Sequence, residues 1–307
     1  MQAVGLSKSY GSFAALSGLE LRLDGTKCVG FLGPNGAGKT TTMKIFTGLI
    51  SPTKGEALVN GIDVRKDKKR ALAGCASLIE TPEIYPALTP MEALRMVGEL
   101  RGVPREERSK RAQEALGRVK MQEWEDKKVG SFSKGMKQRV AIASTLVSEP
   151  EVIILDEPTT GLDPRGMTEV REIVKSLSDR LVFMSSHLLA EVTDVCQEVA
   201  MIDHGKLLVY DSIANVTSQF GGHGTSVEVG FARPVDDELA RKVGAIENVD
   251  SVARSNDRHL VLRYSGGLQA QEAIFNRMAS LKLGAVSMKE VSGGLEEAYL
   301  KLIKETL

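Results

Sequence analysis

Gly33-Pro34-Asn35-Gly36-Ala37-Gly38-Lys39-Thr40 spells G-x-x-x-x-G-K-[ST] without a gap. Each residue type in such a stretch has a chemical task. The glycines let successive backbone N–H groups converge on phosphate oxygens, the lysine supplies a mobile ammonium for the outer phosphates, and the threonine hydroxyl can ligate a magnesium ion. The flanks supply the context that the pattern needs. Cys28-Val29-Gly30-Phe31-Leu32 is a short apolar strand, and Thr41-Thr42-Met43-Lys44-Ile45-Phe46 continues as a helix. The helix N-terminus then adds its dipole to the attraction for an anion. An incidental glycine-rich turn has no need of Lys-Thr at its end.

At 307 residues the chain has room for two domains with separate cores. Forty basic and forty acidic residues cancel to a net charge of +0, so no nucleic-acid partner is expected and no anionic surface is advertised. Cys28, Cys75 and Cys196 are odd in number and far from any metal-ligand spacing. They are expected as buried thiols in a reducing compartment. No signal-peptide pattern stands at the N-terminus, and no window reaches the roughly eighteen apolar residues that a bilayer span requires. A soluble chain is expected.

From residue 1 to about 217, apolar runs such as Val152-Ile153-Ile154-Leu155 and Leu181-Val182-Phe183-Met184-Ser185 alternate with amphipathic segments. Runs of this kind predict strands buried on both faces, hence an α/β domain with a mainly parallel sheet covered by helices. The Glu/Lys/Arg/Ala-rich span from 88 to 128 has helical periodicity and predicts an inserted helical subdomain at about 82–150. Gly221-Gly222-His223-Gly224 then marks a linker. Within 224–307 the pattern predicts a strand at 225–231, a helix at 235–243, a hairpin with strands at 249–254 and 259–264, a helix at 268–282 and a strand at 285–291. That order, βαββαβ, is the one used by ferredoxin-like α+β domains. A last helix from Gly294 carries Leu295, Ala298, Tyr299 and Leu302 on one face. With no catalytic constellation, this tail is expected to be an accessory, regulatory or assembly module.

Asp156 and Glu157 end the strand at 152–155. A carboxylate at the C-terminal tip of a parallel strand lies beside the phosphate loop, where Asp156 can hold magnesium and Glu157 can polarise an attacking water. His187 closes the next strand in Ser185-Ser186-His187. A lone histidine is more often structural than catalytic, but this one is placed to reach a terminal phosphate. Ser133-Lys134-Gly135-Met136 opens a helix with apolar Val140, Ile142, Ala143, Leu146 and Val147. Taken alone, Ser133 is an N-cap; its helix start is also a second anion site of the helix-terminus kind.

Together these residues resemble the ATP-binding subunits of ABC transporters over about residues 1–215. Gly33 to Thr40 is similar to the Walker A loop, Val152 to Asp156 to the Walker B strand, and Glu157 to the catalytic carboxylate. Ser133-Lys134-Gly135-Met136 resembles the signature, Pro158 to Asp163 the D-loop, and His187 the switch histidine. Tyr10, in Lys8-Ser9-Tyr10-Gly11, sits where the family keeps an aromatic ring for adenine. Stacking is base-tolerant, so GTP is also open. The resemblance thus places the nucleotide on Tyr10, on Gly33 to Thr40 and on Thr41, with Thr40, Asp156 and Glu80 as metal ligands and Asp163 in the D-loop. Two departures stand out. Lys134 and Met136 replace the usual glycine and glutamine of the signature, and Glu80 stands where the Q-loop glutamine belongs. Ile79-Glu80-Thr81-Pro82-Glu83-Ile84-Tyr85-Pro86, the signature and Glu296-Glu297-Ala298-Tyr299 resemble the branch that exports drugs and peptide antibiotics.

The resemblance implies an ATPase with ATP and Mg2+ at a site shared between two cassettes, expected as a homodimer. Ser133, Lys134, Gly135 and Met136 of one cassette would cap the nucleotide of the other. Transmembrane permease subunits would receive the energy, docking near residues 80–100, with the chain cytoplasmic and peripheral on the inner face of the cell membrane. The rivals are a soluble ABC ATPase acting on ribosomes or DNA and a regulatory module that binds ATP without turnover. The presence of both Glu157 and His187 argues against the second rival.

Overall fold

Six strands side by side carry the chemistry, and the computed structural model describes them within residues 1–80, 84–220, 225–291 and 294–304. Expectations that fall on residues 81–83 and on the linker at 221–224 lie outside the described residues. The chain divides into two compact units, Met1–Ile213 and Ala214–Leu307. The sequence placed the boundary at 217 and the second domain from 224; the division falls earlier because most of the helix at Ile213–Phe220 groups with the second unit.

The first unit runs β1 (Gln2–Tyr10), β2 (Phe13–Arg22), β3 (Lys27–Leu32), α1 (Lys39–Phe46), β4 (Lys54–Val59), β5 (Ile62–Asp63), α2 (Lys68–Ala71) and β6 (Cys75–Leu78). It continues with α3 (Pro90–Leu100), α4 (Arg108–Arg118), α5 (Lys134–Leu146), β7 (Val152–Leu155), α6 (Pro164–Lys175), β8 (Leu181–Ser186), α7 (Leu189–Val195), β9 (Glu198–Asp203) and β10 (Lys206–Ser212); α8 (Ile213–Phe220) comes next and falls, but for Ile213, in the second unit. The six-stranded sheet has the order β10-β9-β3-β8-β7-β6 and is parallel except for the edge strand β10. Every residue of β7 and β8 is buried, as continuous apolar runs demand.

A second sheet, β2-β1-β4-β5, is antiparallel and was not anticipated. Register shifts between Ala3, Leu6, Lys8 and Ser9 interrupt the period of two that would have revealed it. Leu6, Leu19 and Leu21 of this sheet share one apolar cluster with Phe31, Ile154 and Phe183 of the other. Phe183 meets Phe31 at 5.1 Å between ring centroids and meets Phe46 edge-on at 6.3 Å, which seats α1 on the sheet.

Between β6 and β7 the chain is helical. A capping box starts α3: Glu92 N–H donates to Thr89 Oγ1 at 3.2 Å and Thr89 N–H donates to Glu92 Oε2 at 2.8 Å. Helix α5 buries Val140, Ile142, Ala143 and Leu146, with Val147 buried just beyond it.

The second unit contains β11 (Thr225–Phe231), α9 (Asp237–Gly244), β12 (Val249–Asn256), β13 (His259–Tyr264), α10 (Gly267–Ser280), β14 (Ala285–Val291) and α11 (Gly294–Lys304). Its antiparallel sheet has the order β12-β13-β11-β14, with the βαββαβ connectivity expected of a ferredoxin-like domain. Val227, Val229, Leu260 and Leu262 share a buried cluster with Leu239 and Val243 of α9 and with Ile274 and Met278 of α10. In α11 the Leu295, Ala298 and Leu302 side chains are buried.

Candidate functional site

Strands β3, β8 and β7 are parallel neighbours, so their C-terminal ends open on one edge of the sheet. Leu32 pairs with Ser186, and Leu155 pairs with Met184. The phosphate loop, Asp156-Glu157 and His187 therefore leave adjacent strand tips. Two glycines make the loop possible. A Cβ on Gly33 would lie 2.3 Å from the Ile202 carbonyl oxygen; Gly38, at φ +105°, would place one 2.7 Å from the carbonyl oxygen of Ala15. Helix α1 starts at once after Gly38, with no side chain capping its first turn. Those N–H groups are of the kind that binds phosphate.

Lys39 is 5% exposed, and its ammonium donates to the carbonyl oxygens of Gly33 at 2.6 Å and Pro34 at 3.1 Å. It also stands 3.5 Å from Glu157 Oε1. A buried cation held by two loop carbonyls and a carboxylate is preorganised to meet anionic oxygens.

Ser185 organises the two carboxylates. Its hydroxyl donates to Asp156 Oδ1 at 2.6 Å and accepts from the Glu157 N–H at 2.8 Å. Glu157 itself has φ +47°, a left-handed conformation that a glutamate adopts only under constraint. Thr160 Oγ1 donates to Glu157 Oε2 at 3.1 Å, and His187 Nδ1 lies 2.7 Å from the same oxygen. Lys39, Glu157 and His187 thus form one linked row.

That row lines a cleft of about 350 Å3 with Asn35, Gly36, Gly38, Thr40, Thr41, Thr160, Tyr10 and Phe13. Tyr10 and Phe13 are direct cross-strand partners at the β1–β2 hairpin. Both rings are exposed, and the Lys8 ammonium sits 5.0 Å from the centroid of Tyr10. A larger cleft, about 710 Å3, lies in the second unit beside Lys242, Ile246, Arg277 and Leu283, and none of the chemistry above reaches it.

Other expected residues lie elsewhere. Gly33, Pro34 and Ala37 of the loop do not line the cleft, and Gly205 N–H donates to the Ala37 carbonyl at 3.0 Å. Ser133 caps α5, its Oγ accepting from Met136 N–H at 3.3 Å. Asp163 caps α6, its Oδ1 accepting from Gly166 N–H at 2.8 Å. These two helix starts adjoin: a Cβ on Gly135 would touch Gly166 Cα at 3.7 Å, and one on Gly161 would meet the Lys134 ammonium. Ser133, Lys134, Gly135, Met136 and Asp163 form a second group outside the cleft.

Glu80, expected as a metal ligand, pairs with Lys44, a turn along α1 from Thr40, with its side chain 66% exposed. Thr40 and Asp156 are hard oxygen donors. No three His, Cys, Asp or Glu side chains gather into a metal site among the described residues. Such a sparse set fits Mg2+, which keeps several waters and takes one or two carboxylates together with substrate phosphates.

Phe13 and Ser185 escaped the sequence, and Thr160 lay unremarked inside the D-loop stretch Pro158 to Asp163. Phe13 carries the signal of an aromatic directly across a hairpin from Tyr10. Thr160 lies three residues after Glu157 with a hydroxyl. Ser185 gave no signal, since its role depends on strand register.

A phosphate loop after β3 and an acidic tip on β7, parallel strands separated by β8 alone, define a P-loop nucleoside triphosphatase. Comparison with known proteins narrows the class. The sequence model of the ABC transporter family matches residues 16–160. A bacitracin transport ATP-binding protein of Bacillus licheniformis is 41% identical over 206 residues, 66% of each chain. A lantibiotic transport ATP-binding protein of Streptococcus pyogenes is 36% identical over 220 residues, 70% of this chain and 93% of the relative. A dimeric ATP-binding cassette in a post-hydrolysis state with ADP and Pi superimposes with a TM-score of 0.61 at 25% identity, covering 69% of this chain and 98% of that one. The chain belongs to the ATP-binding proteins of ABC transporters, and it binds and hydrolyses ATP.

Proposed function

We propose that this chain powers the export of a peptide antibiotic, a drug or a related compound through separate transmembrane permease subunits, from the cytoplasmic face of the cell membrane. The observation that carries the catalytic part is the Lys39–Glu157–His187 row at the phosphate loop. Similarity to bacitracin and lantibiotic transport proteins supports the substrate class. Among the described residues no helix is long and apolar enough to cross a membrane, which supports separate permease subunits.

The chain's residues divide the work. Tyr10 stacks on the base, while the N–H groups of the loop and the Lys39 ammonium hold the phosphates. Glu157 orients the attacking water, and its link to Lys39 holds the carboxylate beside the reacting phosphate. His187, bonded to Glu157, contacts the terminal phosphate. Thr40 and Asp156 would hold Mg2+, which supplies charge neutralisation on the phosphate oxygens when bound. Ser133 and Gly135 of a second copy cap the nucleotide, and the dimeric cassette with ADP and Pi supports that arrangement. Lys134 and Met136 flank them. Because the capping residues stand outside the cleft of their own chain, efficient turnover needs two copies.

Affinity purification of the chain from detergent-solubilised membranes, with phosphate release measured with and without co-purified subunits, tests the proposal. Recovery of a membrane permease that stimulates ATP turnover is expected. Recovery of ribosomes in its place would overturn the transporter role.

A further inference from the structure

Ser185 and Ser186 end β8 together and serve different partners. Ser185 binds Asp156 and Glu157, as described. Ser186 is fully buried; its hydroxyl donates to Glu191 Oε2 at 2.6 Å and accepts from the Leu188 N–H at 3.0 Å. Glu191, in the first turn of α7, is only 2% exposed. Its other oxygen, Oε1, has no hydrogen-bond partner among the described residues. A carboxylate buried on one good hydrogen bond is costly, and an apolar side chain of similar size would fill the space without that penalty. What the carboxylate adds is direction. Through the Ser186 hydroxyl it grips both ends of a tight turn whose middle residue is His187.

We propose that Glu191 is a positioning residue for His187: the Glu191–Ser186 hydrogen bond fixes the turn from Ser186 to Leu188, and so the line along which the imidazole leaves β8 toward Glu157. Glu191 is not among the residues that line the cleft. Its effect runs wholly through His187, 2.7 Å from Glu157 Oε2. The inference rests on the role proposed above for His187, and the test separates the two.

Steady-state phosphate release and ADP binding are measured on the full chain for Ser186→Ala, Glu191→Ala, Glu191→Gln, His187→Ala and the Ser186→Ala/His187→Ala double variant. His187→Ala alone is expected to lower kcat about a hundredfold. Ser186→Ala and Glu191→Ala are expected to lower kcat about three- to tenfold with KM for ATP and Kd for ADP unchanged. Glu191→Gln, whose amide oxygen still accepts from Ser186, should restore most of the rate. In the His187→Ala background, Ser186→Ala should cost nothing further. If the two losses multiply instead, or if KM rises in step with the fall in kcat, the positioning role is overturned. Should Glu191→Ala fail to fold, Ser186→Ala, which removes a single oxygen, carries the cycle. A His187→Ala chain that keeps its full kcat overturns the role of His187 and this inference with it; a slow His187→Ala chain beside a fast Ser186→Ala chain overturns the inference alone.

Discussion

His187 Nδ1 lies 2.7 Å from Glu157 Oε2, while the other oxygen of that carboxylate faces the Lys39 ammonium at 3.5 Å. The glutamate is therefore held from two sides, and its backbone is pinned at positive φ by the bond from its N–H to Ser185. Such constraint is the structural form of preorganisation: the group is oriented before the substrate arrives.

Glu157→Gln keeps the shape and removes the charge. An amide can still bond to Thr160 and His187, but it cannot draw a proton from water. ATP hydrolysis is expected to fall by about a hundredfold or more, with ADP binding nearly unchanged. The uncleaved nucleotide should then hold two copies together, visible as an ATP-dependent shift to dimer in size-exclusion chromatography. Turnover at the normal rate would exclude the role assigned to Glu157.

Ser185→Ala strips one buried hydroxyl that serves two groups. Asp156 Oδ1 loses its donor and Glu157 N–H loses its acceptor. A loss of about 1–3 kcal/mol is expected for the first unit in denaturant unfolding, because the partners stay buried without replacement bonds. Asp156 is also freed to turn, so the Mg2+ concentration for half-maximal turnover should rise. A variant with unchanged stability and metal dependence would show that Ser185 orders neither carboxylate.

What could be seen in the sequence depended on range. The phosphate loop, β7, β8 and the βαββαβ unit follow from residue type and period within a few positions. Ser185 finds Asp156 29 positions away, through a register that only the assembled sheet sets. Glu80 finds Lys44 36 positions away, a pairing that no local pattern announces. The antiparallel sheet was hidden by the irregular register of β1 against β2, which breaks the alternation on which strand recognition depends.

The cysteines lend themselves to a chemical test. Burial pushes the Cys75 thiol up to about 12, and contact with Cys28 at 3.2 Å between sulfurs, added to burial, raises Cys196 well above its usual range. A raised thiol value favours the neutral form of the folded state. The stabilisation is complete below the unfolded thiol value of about 9 and is lost as pH climbs toward 12. Maleimide at pH 8 should leave the native chain unlabelled at all three cysteines and label each of them in guanidinium chloride. Rapid native labelling of Cys75, read by peptide mass, would contradict its burial.

Tyr10 and Phe13 form the last test, and it asks how the base is held. They face each other across the hairpin, 49% and 60% exposed, on the rim of the cleft that holds Lys39. Rings exposed to that degree present open surface, and a stacked purine would cover it. Each ring removed should weaken ADP binding by about 1–3 kcal/mol, roughly 5- to 150-fold, since stacking is worth that much per base. Inorganic triphosphate, which has no base, should bind Tyr10→Ala, Phe13→Ala and the parent chain alike. GDP should lose affinity in parallel with ADP, because every base presents a π-face. Calorimetric titration with the three ligands decides the matter: a Phe13→Ala chain that binds ADP as well as the parent would leave Tyr10 as the sole platform, and equal losses for ADP and triphosphate would place the effect in the phosphate loop instead.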